Sequence, residues 1–106
     1  MKIQNIDLEW LGHDSFRIEA CSKTIFIDPY QISSKEKADI ILITHSHYDH
    51  CSQPDIEKIA KDGTVIICTA DCQSKVTRLN QKIHLELVEP GTDIAIHSAP
   101  PRDRGG

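Results

Sequence analysis

The chain has 106 residues, 12 Lys+Arg against 16 Asp+Glu, a formal net charge of −4 and a sequence pI near 5.8. That length suits one domain around one hydrophobic core, and the acidic balance offers no surplus of positive charge to grip a phosphate backbone, so nucleic acid is not an expected partner. The opening Met1-Lys2-Ile3-Gln4-Asn5-Ile6-Asp7 has no apolar signal core, and no stretch reaches the ~18 uninterrupted apolar residues of a membrane span, so a soluble, cytoplasmic protein without a membrane partner is expected.

Three strands are predicted in close succession at residues 7–11, 15–20 and 24–28. Phe16, Ile18 and Ala20 alternate with Arg17 and Glu19, a period of two that turns one face to a core and the other to water. Tight connections at 12–14 and 21–23 make these strands antiparallel neighbours, and Pro29 ends the third because it has no N–H to donate to a ladder. Residues 38–44 contain Ile40-Ile41-Leu42-Ile43, which leaves no polar face and suits a strand covered on both sides. A helix follows, with Ser52 as N-cap, Pro54 in the first turn, Ile56, Ile59 and Ala60 on one face, and Gly63 as the stop. A second buried strand at 64–68, a short helix over about 71–79, an alternating strand at 83–87 and a last strand beginning at 93–96 complete the pattern. The strand, helix, strand, helix, strand order predicts an α/β fold, a partly parallel sheet with helices on one face. Residues 100–106 lack any apolar pattern and are expected to fray, so the domain is read as 1–99 with a disordered polar tail.

Cys21, Cys51, Cys68 and Cys72 are expected to be reduced thiols, since there is no export signal and the core is ordinary. Cys68 and Cys72 have no second Cys/His pair at finger spacing, which argues against a structural zinc module. The chemistry gathers elsewhere, in His45-Ser46-His47-Tyr48-Asp49-His50 directly after the buried strand. His45 and His47 are two apart, so an extended backbone puts both imidazoles on one side, where they can grip one ion. Asp49 and His50 follow as the chain turns toward the helix and can face a second ion. Imidazole and carboxylate suit Zn²⁺, Fe²⁺ or Mn²⁺ and do not choose among them. The bland reading is a polar loop or a protonation-sensitive patch; the place argues against it, because ligand sites in α/β sheets gather at the carboxyl ends of strands.

The run His45-x-His47-x-Asp49-His50 after a hydrophobic strand resembles the signature of the metallo-β-lactamase superfamily. Trp10-Leu11-Gly12-His13-Asp14-Ser15-Phe16-Arg17-Ile18 and Ile27-Asp28-Pro29-Tyr30 are similar to the branch of small metal-dependent hydrolases that includes ascorbate-6-phosphate lactonase. The likeness covers about residues 6–96. It implies an αββα sandwich with the site where two sheets meet, two Zn²⁺ ions with Mn²⁺ or Fe²⁺ as alternatives, His45 and His47 on the first ion, and Asp49 and His50 on the second. It also places Asp28 and His13 near the site, Asp28 accepting a hydrogen bond from a ligand imidazole and fixing its tautomer. Without the resemblance, Asp28 is a strand-end turn residue and His13 a turn residue.

The family completes its site with a further His, a bridging Asp and a last His from the second half of a longer domain. His84, between apolar neighbours, reads as a solvent-side strand residue; His97 ends the last predicted strand; Cys51 reads as a small buried residue. The resemblance therefore implies the N-terminal half of the fold, with an exposed sheet face open to self-association. The implied function is a metal-dependent hydrolase of a small molecule (a lactone, other ester, amide or phosphoester) that uses metal-activated water, with Asp49 also orienting that water. A nuclease of the same superfamily fits the acidic balance less well, and a chain binding metal weakly without catalysis is the reading that the missing ligands favour.

Overall fold

The computed structural model describes residues 2–3, 6–33, 36–44 and 51–89. The histidine segment 45–50, the expected strand at 93–96, His97 and the tail 100–106 lie outside the described residues. Among the described residues, seven strands form one sheet whose spatial order is the chain order. They are β1 (Lys2–Ile3), β2 (Ile6–Gly12), β3 (Ser15–Ala20), β4 (Lys23–Ile27), β5 (Ile40–Leu42), β6 (Val65–Cys68) and β7 (His84–Leu87). β1 to β4 pair antiparallel, and β4 to β7 pair parallel. Helix α1 (Gln53–Ile59) carries the chain from β5 to β6, and α2 (Gln73–Val76) lies between β6 and β7. β1 was not among the predicted strands; it is a two-residue edge element whose brevity leaves no alternation to detect.

The register explains which face is covered. Phe26, Ile41, Ile66 and Leu85 stand side by side across β4 to β7, and the helices lay Ile56, Ile59 and Val76 on this row. Phe26, Ile41, Ile59, Ile66 and Val76 are all fully buried there. Ile18, Ile25, Ile40 and Val65 form the corresponding row on the other face, and the cluster they belong to contains no helical residue. Phe16, Ile18 and Ala20 point to that second face and are half-buried, so the alternation in β3 was legible but its apolar side is not the helix-covered core.

Two expectations shift in detail. Helix α1 ends at Ile59 with Ala60 as an extended C-cap, four residues ahead of the expected stop; Gly63, at φ +97°, serves the turn into β6 instead. The second helix is a 3₁₀ turn over Ala70–Cys72 followed by the single turn of α2, not a helix over 71–79. The Thr69 hydroxyl bonds to the Asp71 carboxylate and does not cap the turn, and the Thr77 hydroxyl donates to the Ser74 carbonyl, a local bond that competes with a helical one. Cys21 and Ser22 occupy the β3–β4 turn with φ of 54° and 60°, a two-residue hairpin conformation usually given to Asn-Gly.

Candidate metal centre

The parallel strands deliver two chain ends to the same edge. Beyond β4, the Asp28 amide donates to the Leu42 carbonyl at 2.9 Å; beyond β5, the Ile43 amide donates to the Ile67 carbonyl at 2.9 Å. Asp28 and Thr44 therefore leave the sheet side by side, at the carboxyl ends where the strand pattern placed the site. Asp28 sits in the left-handed region at φ +46° and is 3% exposed. Its carboxylate accepts from the Thr44 amide at 2.7 Å and from the Thr44 hydroxyl at 2.5 Å. The residue immediately before His45 is thereby held by two bonds to one acidic group.

The left-handed turn has its own fastening. Ser15, fully buried at the start of β3, donates its hydroxyl to the Asp28 carbonyl at 2.5 Å and accepts from the Tyr30 amide at 3.0 Å. One hydroxyl thus satisfies two backbone groups that the turn removes from the ladder. His13, exposed in the neighbouring β2–β3 turn at φ +54°, lies with its ring 4.9 Å from the Tyr30 ring, and its carbonyl accepts from the Trp10 indole at 2.9 Å. The structure brings His13, Asp28 and Thr44 to one edge of the sheet.

The far side of the histidine segment is anchored as well. Cys51 is 2% exposed in the core under the helices. Ser52 stands at the N-cap of α1 in an extended conformation, but its hydroxyl makes no bond to the helix backbone; it donates to Asp55 Oδ2 at 2.6 Å. Asp55 also accepts from the Gln31 amide at 2.9 Å, the Ile32 amide at 3.1 Å and Lys58 Nζ at 3.2 Å. Burial alone would raise the pKa of this carboxyl; the donors from Ser52, Gln31, Ile32 and Lys58 more than reverse that and hold it below the ordinary aspartate value.

Among the described residues no group of three His, Cys, Asp or Glu side chains is placed to hold a metal ion. His45, His47, Asp49 and His50, the donors expected from the sequence, lie outside the described residues, between Thr44 and Cys51. Three imidazoles and one carboxylate fit a divalent cation of the Zn²⁺, Mn²⁺ or Fe²⁺ kind. His84 is exposed at the amino end of β7, three residues of strand, or roughly 10 Å, from the edge where Asp28 and Thr44 emerge. The four cysteines are free thiols, as expected. Burial pushes the Cys51 thiol up to about 11 and the Cys68 thiol up to about 12, each helped by the neighbouring Cys72.

Ser15 and Asp55 were not singled out from the sequence. Asp55 had a signal, because Ser52-x-x-Asp55 has the spacing of a reciprocal helix cap. Ser15 had none, because its two partners lie 13 and 15 residues away.

Residues 7–104 match the model of the β-lactamase superfamily domain. A UPF0173 metal-dependent hydrolase of Koribacter versatilis is 29% identical over 91% of this chain and 47% of its own length. Its counterpart in Lawsonia intracellularis is 31% identical over 85% of this chain and 43% of its own length. A crystal structure provisionally called a metal-dependent hydrolase, from Parabacteroides distasonis, superposes with a TM-score of 0.64 at 30% identity, covering 72% of this chain and 36% of the other. This chain spans less than half the length of these relatives. With the family model matched along nearly all its residues, and a mixed sheet bearing helices on one face, the chain belongs to the β-lactamase superfamily and is similar to its metal-dependent hydrolases.

Proposed function

We propose that this chain supplies the histidine-bearing part of the cation site of a cytoplasmic zinc hydrolase acting on small molecules such as lactones, other esters or phosphoesters. The observation that carries the reading is the Asp28 carboxylate bonded to both the amide and the hydroxyl of Thr44, which fixes the residue next to His45. The names of the relatives, metal-dependent hydrolases, support the reaction class. In this reading His45 and His47 hold one ion, Asp49 and His50 a second.

When bound, such a cation supplies Lewis acidity and lowers the pKa of a coordinated water from 15.7 to about 7. Asp49 orients the attacking water, and Asp28 sets the direction in which the segment leaves β5. No side-chain nucleophile of this chain is needed: burial keeps Cys51 and Cys68 protonated near neutral pH. The acidic net charge of −4 favours a small substrate over a nucleic acid.

The test is zinc content after exhaustive dialysis. The unmodified chain is expected to retain zinc, and His45→Ala with His47→Ala to lose most of it while the far-ultraviolet circular dichroism stays nearly unchanged. Full zinc retention in the double variant refutes the ligand assignment. A lactone panel run beside a generic phosphodiester then assigns the substrate class.

A further inference from the structure

We propose that Asp55 is a positioning residue for the histidine segment, forming with Asp28 a two-point clamp that fastens the residues on both sides of positions 45–50 to a single loop. The inference rests on the cation-site reading and deepens it by naming what keeps the donors in place. Asp28, at the head of the loop that follows β4, holds Thr44, the last described residue before the segment. Asp55, in the first turn of α1, holds Ser52, one residue beyond the first described residue after it, and reaches back to the amides of Gln31 and Ile32 in the same loop. Lys58 closes the arrangement, donating both to Asp55 Oδ1 at 3.2 Å and to the Ile32 carbonyl at 3.0 Å.

The loop itself has little freedom. Its head is stapled by the Ser15 hydroxyl at Asp28 and Tyr30, Pro29 restricts it, and Ile32 is 4% exposed in the core. Gln31 takes φ +52°, a conformation a non-glycine residue keeps only when its surroundings demand it, and its amide points at Asp55 Oδ2. A helix cap alone requires none of this: Ser52 bonds to the carboxylate and not to the helix backbone, and two of the four donors to Asp55 come from the loop, 23 and 24 residues away. The physical benefit is preorganisation. Donor side chains on a six-residue stretch converge on a cation more readily when both flanks are fixed in one frame, because less chain entropy is lost at binding.

The experiment compares the unmodified chain with Asp55→Asn, Ser52→Ala and Gly63→Ala. The last is a control that strains a turn at φ +97° away from the clamp and lowers stability without touching it. Two readouts are taken: hydrogen exchange of the metal-free chain over 44–52, and Co²⁺ binding followed by its visible absorption. The clamp predicts faster exchange across 45–50 in Asp55→Asn, a smaller change of the same kind in Ser52→Ala, and none in Gly63→Ala. It also predicts a loss of Co²⁺ affinity of about tenfold or more in Asp55→Asn, with an altered absorption band that the control does not share. If Asp55→Asn fails to fold, Ser52→Ala decides by the same readouts. Unchanged exchange in both clamp variants, or the same changes in the control, overturns the proposal. If the unmodified chain takes up no Co²⁺, the hydrolase reading falls and the exchange data alone decide the clamp.

Discussion

Removing the Asp28 carboxylate with Asp28→Ala perturbs the point where the fold meets the site. Two hydrogen bonds to the carboxylate are lost, at 2.7 Å and 2.5 Å, and bonds to a charged group contribute about 1.5–3 kcal/mol each, net of solvation. Thr44 is exposed, so water takes over part of what its amide and hydroxyl lose, and the lower end applies, about 3 kcal/mol for the pair. Alanine at φ +46° adds about 1 kcal/mol, because its Cβ crowds the following carbonyl. A total of about 4 kcal/mol is a large part of the 5–15 kcal/mol that holds an ordinary domain together. It lowers Tm by about 15–20 °C in a chain of this size. Asp28→Asn separates the contributions: asparagine tolerates the left-handed region and keeps one acceptor oxygen, so the cost falls to about 1–2 kcal/mol. Urea unfolding followed by circular dichroism measures both variants. If Asp28→Ala lies within about 0.5 kcal/mol of the unmodified chain, the scatter of neutral surface changes, the fastening of Thr44 has been misjudged.

Other consequences follow from single features. Replacing Cys21-Ser22 by Asn-Gly relieves two positive-φ positions and is expected to stabilise the chain by about 1–2 kcal/mol in the same urea assay; no gain means the turn is not strained. Iodoacetamide applied to the native, metal-free chain at pH 8 should modify the exposed Cys21 well before Cys51 and Cys68, whose buried thiols are pushed up to about 11 and about 12, and peptide mass spectrometry reads the order. Asp39 and Asp55 both have folded pKa values below their ordinary ones; in each, burial pulls upward and hydrogen-bond donors prevail, Thr24 and Lys61 at Asp39 and Ser52, Gln31, Ile32 and Lys58 at Asp55. A depressed folded pKa contributes stability that is present above the unfolded value of about 3.9 and lost as pH falls through the folded one. Stability should therefore drop below about pH 4, and Asp39→Asn should flatten that limb; an unchanged slope from pH 4 to 2 would contradict the pairing.

Much of the architecture was legible from local pattern. The alternation in 15–20, the Ile40 to Ile43 run and the Pro29 break place strands within a residue or two of where they lie. The second helix was overestimated: helical bonding stops after one turn of α2, where the Thr77 hydroxyl donates to the Ser74 carbonyl. The candidate site was expected from the spacing of His45, His47, Asp49 and His50 after a buried strand, residues that lie outside those described, and His13 and Asp28 were expected nearby on resemblance alone.

Periodicity and clustering are properties of neighbouring residues, so the chain by itself determined the strands, the partly parallel sheet and the run of candidate donors at 45–50. Which groups fasten the ends of that donor segment was decided only in three dimensions. Ser15 meets Asp28 and Tyr30, and Asp55 meets Gln31 and Ile32, across 13 to 24 residues of chain. A hydrogen bond over such a separation leaves no periodic trace, because the sheet register and the packing of α1, and not the spacing of letters, bring its two partners together.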